Sequence, residues 1–306
     1  MRRVIHVLTG CTATGKTDLA LCWAEANSAE IVSCDSLLFY RGLDIGTAKP
    51  TRAELARVPH HLIDNRAVNE PMDVTHYLTL ARAAVVEIHA RGRAVLVTGG
   101  SGFYLRAFFG PVADEIDVPD ELRADLRVRL ERGGLAPLVE ELRTMNPGGL
   151  GALDVQNPRR VLRALERCRA TGRPLLELLA AFAAQPAPFA DYEVKLCEVV
   201  REKDELDRRI VARVDVMLRA GLLDEVHGLL AQGLKENPSA AKAIGYRETI
   251  DVLEGRLPES ELAAAIAKNT QGLVKKQRTW FKTQLPAHPQ VDGGSAGRGN
   301  LFVPPV

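Results

Sequence analysis

The chain has 306 residues, 46% of them hydrophobic and 26% charged, with a net charge of +1. That length can bury a sizeable core in one large domain or two modest ones. Near-neutrality excludes a global field that draws the protein to nucleic acid, so any such partner must be held by local basic patches. Five cysteines, at 11, 22, 34, 168 and 197, include no C-x-x-C pair; this suits a reducing cytosol and argues against a zinc site. The basic start running into Leu8-Thr9-Gly10-Cys11 has the outline of a lipoprotein cleavage box. However, Val4 to Leu8 supplies five residues, interrupted by His6, where a secretory core needs about 7–15. No later run reaches the ~18 apolar residues of a membrane span. A cytoplasmic protein without membrane attachment is expected.

In chain order, Val4–Thr9 is a short β-rich run, and Gly10-Cys11-Thr12-Ala13-Thr14-Gly15-Lys16-Thr17 then fits G-x-x-x-x-G-K-[ST]. A helix over Thr17–Asn27 can follow. Backbone N–H groups of such a loop and of the helix start converge on an anion, Lys16 adds positive charge, and the Thr17 hydroxyl can ligate Mg²⁺. Further strands are expected at Ile31–Cys34, His61–Ile63 and Ala94–Thr98, with a helix at Val74–Arg91 capped by Asp73. This alternation implies a parallel sheet flanked by helices, with ligands at the carboxyl ends of the strands.

Three features should meet the loop at that edge. Ser33-Cys34-Asp35-Ser36 ends a buried strand in a carboxylate, which makes Asp35 a candidate general base. Val97-Thr98-Gly99-Gly100-Ser101-Gly102 is a strand entering a Gly-rich turn, where a ligand can approach the backbone closely. It lacks the Asp with which an ATP-hydrolysing P-loop protein usually ends such a strand, so the loop can bind phosphate without NTP hydrolysis. Asp44-Ile45-Gly46-Thr47-Ala48-Lys49-Pro50 is a polar loop able to close over the site, with Lys49 read as a solvated surface charge.

From about Asp114 the pattern turns helical, and Val194–Val200 reads as a strand returning the chain to the sheet. The expected architecture is therefore a discontinuous α/β core, residues 1–114 and 191–285, interrupted by an all-helical insertion domain at 115–190. Long amphipathic helices are expected at 202–232, 238–255 and 259–283, and a flexible Gly/Pro-rich tail at 286–306. Arg159, Arg160, Arg163, Arg167, Arg169 and Arg173 crowd one segment, and i,i+4 spacing sets a row of guanidinium groups along one helical face. Lys268, Lys275, Lys276, Arg278 and Lys282 form a second basic stretch, interrupted by Trp280-Phe281, which are read as core. The two patches make RNA or DNA a reasonable partner. The residues alone leave open a P-loop small-molecule kinase using ATP, in which Asp35 activates a hydroxyl, and a non-catalytic RNA-binding module.

The chain nevertheless resembles the tRNA dimethylallyltransferases (tRNA isopentenyltransferases) up to about Lys282. GCTATGKT resembles their phosphate loop, and CDSLLFYRGLDIGTAKP followed by VPHHLID resembles their acidic signature and His-His segment. VTGGSGFYLRA, NPRRVLRALE, AIGYRE and KKQRTWFK match later signatures in the family's order. The resemblance implies transfer of a dimethylallyl group from dimethylallyl diphosphate to the N6 amine of adenine 37, beside the anticodon of tRNAs reading codons that begin with U. It implies that residues Gly10 to Thr17 hold the diphosphate and that Asp35 takes the amine's proton. Thr12, Lys16, Thr17 with Mg²⁺, and Arg213 would neutralise the leaving group. It further implies tRNA contacts at Asp35, Ser36, Leu37, Leu38, Ser101, Arg123, Arg159, Arg160, Val161, Leu162, Arg163, Lys242, Gly245, Tyr246 and Arg247, with the target base splayed from a single-stranded loop. A monomer is expected. Three positions depart from the family pattern: Cys11 stands for Pro, Leu38 for Gln, and Ser101 for Thr. Leu38 removes an amide able to read a base edge.

Overall fold

A computed structural model describes residues 2–114, 116–294 and 301–302. The chain divides into two units, residues 1–109 with 187–306, and residues 110–186.

In the first unit, β1 (Val4–Gly10) leads through the glycine loop into α1 (Lys16–Ala26), then β2 (Ala29–Ser33), α2 (Arg52–Arg57) and β3 (His60–His61). Next come α3 (Val74–Ala90), β4 (Ala94–Thr98) and α4 (Gly102–Leu105). The strands pair in the order β3-β2-β4-β1, continuing to two later strands, and every pairing is parallel. Side chains alternate between the faces. Ile5, Val7, Val32, Val95 and Val97 join one core, while Leu8, Ile31 and Leu96 join the other. Trp23 and Leu21 of α1 cover the second face, and Tyr77, Val85 and Ile88 of α3 cover the first. Both faces being covered explains why these strands read as near-continuous apolar runs. Asp73 caps α3 as expected, its Oδ1 accepting from His76 N–H at 2.8 Å.

The second unit holds α5 (Asp120–Gly133), α6 (Ala136–Thr144), α7 (Pro158–Thr171) and α8 (Leu175–Ala183), packed around Leu126, Leu138, Leu142, Val161, Leu165 and Leu178. Asn157 caps α7 by accepting from Arg159 and Arg160 N–H, with Pro158 in the first turn, where its missing N–H costs nothing.

The first unit resumes with β5 (Glu193–Val200), α9 (Lys203–Arg219), α10 (Leu222–Ala231), α11 (Pro238–Ala241), α12 (Tyr246–Leu253), α13 (Glu259–Gln284) and β6 (Gln290–Asp292). The sheet is completed as β3-β2-β4-β1-β5-β6 among the described residues. Two helices expected to be continuous are broken. Gly221 (φ +94°) separates α9 from α10, and Gly245 (φ +95°) stands ahead of α12. Both take a left-handed φ that glycine adopts at no steric cost, which helical periodicity does not register.

The tail expected at 286–306 is corrected at residues 290–292 and 301. Gln290–Asp292 pair with Glu198–Val200, and Leu301 is buried against the α1 face, so ladder bonds and apolar burial hold these residues. Residues 295–300 and 303–306 lie outside the described residues.

Gly99 carries a requirement of the fold. A Cβ there would stand 2.1 Å from Cys34 O and 2.3 Å from Cys34 C, both backbone atoms of the neighbouring crossing. Gly99→Ala should lower stability by about 1–3 kcal/mol, the usual cost of overpacking a fixed contact; urea unfolding measures it.

Candidate active site

The loop after β1 is shaped by its glycines. At Gly10 (φ +149°) a Cβ would lie 2.4 Å from Val199 O on β5, so only glycine lets the chain turn there. Gly15 (φ +92°) and Ala13 (φ +64°) are also left-handed. Cationic side chains take up the loop's carbonyls. Lys16 Nζ donates to Cys11 O at 2.7 Å, Arg209 Nε to Ala13 O at 2.7 Å, and Arg201 Nε to Thr14 O at 3.1 Å. With these acceptors engaged, the loop offers an anion its N–H groups other than that of Thr12, beside the start of α1. Cys11, in the position that is Pro in the resembled family, is buried, and its Sγ donates to Val274 O at 3.8 Å.

Two cavities meet here. One, of about 600 Å³, is lined by Thr12, Ala13, Gly15, Lys16 and Thr17 of the loop together with Ser33, Leu38 and Lys49. The other, of about 550 Å³, is walled mainly by apolar groups, among them Leu37, Phe103, Met217, Leu273 and Trp280. Six residues line both: Thr12, Asp35, Thr47, Gly100, Arg213 and Gln277. All three residues expected to carry chemistry, Thr12, Asp35 and Arg213, are in this shared set.

Asp35 follows β2 and is held by accepting from Leu37 N–H at 3.0 Å. Ser36 N–H donates to Ser101 Oγ at 2.9 Å, so the hydroxyl at position 101 binds the acidic turn, whether supplied by Ser or Thr. Lys16 is half-buried, and desolvation of its ammonium pulls it down to about 8, with the Asp35 charge opposing. Burial also lowers Arg213, again opposed chiefly by Asp35. Desolvation therefore acts against two cations that one carboxylate partly compensates, an arrangement suited to receiving an anion.

Gln277 on α13 bridges the two walls. Its Oε1 accepts from Thr12 N–H at 3.2 Å and its Nε2 donates to Gly100 O at 3.0 Å. Sequence reading placed Gln277 inside a signature but assigned it no role, and it passed over Arg201 and Arg209. Nothing local distinguishes Arg201, just after β5, or Arg209, on α9, from the chain's other arginines.

Other expected residues are placed differently from their sequence reading. Lys49 is no solvated charge: its side chain is 5% exposed, paired with Asp44 and Asp64, and donates to Tyr40 O at 2.9 Å. Phe281 is core, but Trp280 is half-buried on the cavity wall, where a Cβ at Gly102 would press on its ring at 2.6 Å. Tyr246 is fully buried, and its hydroxyl donates to Glu225 Oε1 at 2.7 Å. Gly245 is buried at the start of α12. In the second unit Val161 is core, Leu162 packs against it, and Arg123 pairs with Asp120 at 3.2 Å. The arginine row is more paired than periodicity suggests. Arg167 turns back to Asp114 at 2.8 Å, while Arg169 and Arg173, both exposed, pair with Glu141 and Glu177. Arg159, Arg160 and Arg163 are exposed as well, Arg160 at 3.6 Å from Asp154 and Arg163 at 3.5 Å from Glu166. Lys242 and Arg247 are exposed on the first unit. Leu38 gives the loop-side cavity an apolar wall.

Comparison with known proteins converges on one family. The model of the family described as IPP transferase matches residues 38–284. A tRNA dimethylallyltransferase from Opitutus terrae is 64% identical over 299 residues, covering 97% of this chain and 96% of that protein. The crystal structure of a tRNA isopentenylpyrophosphate transferase from Bacillus halodurans is similar with a TM-score of 0.68 at 32% identity, covering 96% of this chain and 90% of that one. A eukaryotic dimethylallyltransferase acting on tRNA, at 22% identity, shares the fold with a TM-score of 0.81, covering 95% of this chain and 74% of that one. The phosphate loop, the acidic turn opposite it and these matches lead to one conclusion: the chain belongs to the IPP transferase family.

Proposed function

We propose that the protein transfers a dimethylallyl group from dimethylallyl diphosphate to the N6 amine of adenine 37 in tRNAs reading codons that begin with U. The observation that carries this reading is that Thr12, Asp35 and Arg213 line both a phosphate-loop cavity and an apolar one. The diphosphate lies against the loop amides and Lys16, and the allylic carbon meets the extruded adenine beside Asp35. The amine nitrogen forms a bond to that carbon as the carbon–oxygen bond to diphosphate breaks. Asp35 accepts the amine's proton. Loop N–H groups, Lys16 and Arg213 stabilise the charge gathering on the departing diphosphate. The apolar walls keep water from the carbon under attack.

Thr17, Ser33 and Asp35 give the loop-side cavity oxygen donors. This set fits Mg²⁺, which takes few protein ligands and keeps waters and substrate phosphates. Thr17 would hold the ion, which when bound supplies further neutralisation of the diphosphate. Among the described residues no helix is long and apolar enough to cross a membrane and the cysteines are free. We read the protein as cytoplasmic, where its tRNA substrate is found, and as a monomer.

Incubation with ATP alone, dimethylallyl diphosphate alone, and each with tRNA tests the reaction. Prenylated tRNA should form only with tRNA and the prenyl donor together; turnover of ATP without RNA would make the protein a kinase instead. Arg159, Arg160 and Arg163 are read as holding the tRNA backbone, with Lys242 and Arg247 framing the anticodon arm. Arg159→Ala with Arg163→Ala should weaken tRNA binding and flatten the slope of log K against log salt by about 1–2, as loss of two phosphate contacts requires. Turnover at saturating tRNA should remain near wild type.

A further inference from the structure

The Glu225 carboxylate on α10 accepts four hydrogen bonds. Three come from consecutive backbone N–H groups, Asp44 at 3.1 Å, Ile45 at 2.7 Å and Gly46 at 3.2 Å, and the fourth from the Tyr246 hydroxyl at 2.7 Å. The Tyr246 ring closes on the same segment, since a Cβ at Gly46 would stand 2.6 Å from its carbons. One residue further on, Thr47 O accepts from Arg213 Nη2 at 2.9 Å. Thr47 lines both cavities, and its own hydroxyl donates to Leu43 O at 2.6 Å. Burial and the adjacent carboxylate raise the phenol's pKa, so Tyr246 stays a donor across the working pH range. These contacts form a chain from the α12 tyrosine through a carboxylate and a loop to the guanidinium beside Asp35.

We propose that Glu225 and Tyr246 are positioning residues for Arg213, holding the 44–47 loop so that the Thr47 carbonyl fixes the guanidinium in place. A contact of Tyr246 with tRNA, as the family resemblance implies, is replaced here by an action exerted from inside the protein. The inference rests on the transfer reading above, since it assigns Arg213 to the departing diphosphate. Misplacement of a charge-stabilising group by about 1 Å can cost on the order of 10²-fold, and loss of one neutral donor three contacts away costs less.

The full-length protein carrying Tyr246→Phe, which keeps the ring and removes one donor, should lose about 3–10-fold in kcat, a fraction of that limit. Its KM for tRNA and its tRNA Kd, measured by fluorescence anisotropy, should stay within about twofold by the same reasoning. Glu225→Gln, which presents an amide donor to a ring of donors, should lose more kcat in the same pattern. In an Arg213→Lys background the cost of Tyr246→Phe should shrink toward none, because neighbours acting through one group do not add. Weaker tRNA binding with unchanged kcat, or fully multiplicative losses in the double variant, would overturn the inference while leaving the transfer reading intact. Absence of prenyl transfer by the wild type would overturn that reading and the inference with it.

Discussion

Replacing Asp35 by alanine should lower the turnover of dimethylallyl transfer by about 10²–10⁴-fold, the range lost with a general base, while tRNA binding falls far less. The separation follows from position. Asp35 lies where the two cavities share their lining, at the end of a β2 whose backbone is fixed by Cys34 N–H donating to Thr98 O at 2.8 Å. Its carboxylate accepts from Leu37 N–H and takes no part in the strand ladder, so its loss leaves the pairing of the sheet in place. Asp35→Asn is the sharper control, because the amide retains an acceptor for Leu37 while it cannot take the proton. Single-turnover kinetics with saturating donor isolate the chemical step. Full turnover by either variant would remove Asp35 from its role as base.

Lys16→Ala should reduce kcat/KM for the prenyl diphosphate by about 10²–10³-fold, the cost of removing one preorganised charge from a developing anion. The wild type should also show a pH signature that the variant lacks. With its pKa lowered by burial to about 8, Lys16 of the free protein is mostly charged at pH 7 and mostly neutral at pH 9. A bound diphosphate favours the charged form and raises that pKa. Binding above pH 8 therefore takes up a proton, and affinity should weaken by up to about tenfold per pH unit. Calorimetry in buffers of different ionisation enthalpy counts the proton. The sign for stability is opposite in sense: the unfolded chain, with an ordinary lysine, binds more protons between about pH 8 and 10.5 than the folded one. The free wild type should gain stability as pH rises through that window, a gain absent in Lys16→Ala. A flat donor affinity from pH 7 to 9 in the wild type would detach Lys16 from the diphosphate.

Much of the site's frame is local in origin and so could be read from residue order. A β-rich run, a glycine loop and a helix start in immediate succession define a phosphate cradle, because each turn needs its glycine at a fixed place. Asp35 was legible because it ends an apolar run that adjoins the loop in a parallel sheet. The helices between Asp120 and Ala183 followed from the helical pattern, and the Asp73 cap from the reach of a capping side chain over three residues.

The rest was decided by long-range packing. Gln277 reaches Thr12 across 265 residues, and Arg209 reaches Ala13 across 196. Nothing in their neighbourhoods separates these side chains from similar ones on the same helices. Lys49 and Tyr246 look like surface groups in sequence, and become buried only because Asp64 and Glu225 come from other elements to satisfy them. Gln290–Asp292 looked loose for the same reason, since an edge strand needs few residues of its own when β5 supplies the partners. Residue order thus determined the strand–loop–helix cradle and its opposing carboxylate, which depend on local backbone geometry. Only the tertiary structure decided which cations and amides hold them in place, because hydrogen-bond partners and burial are properties of the packed chain.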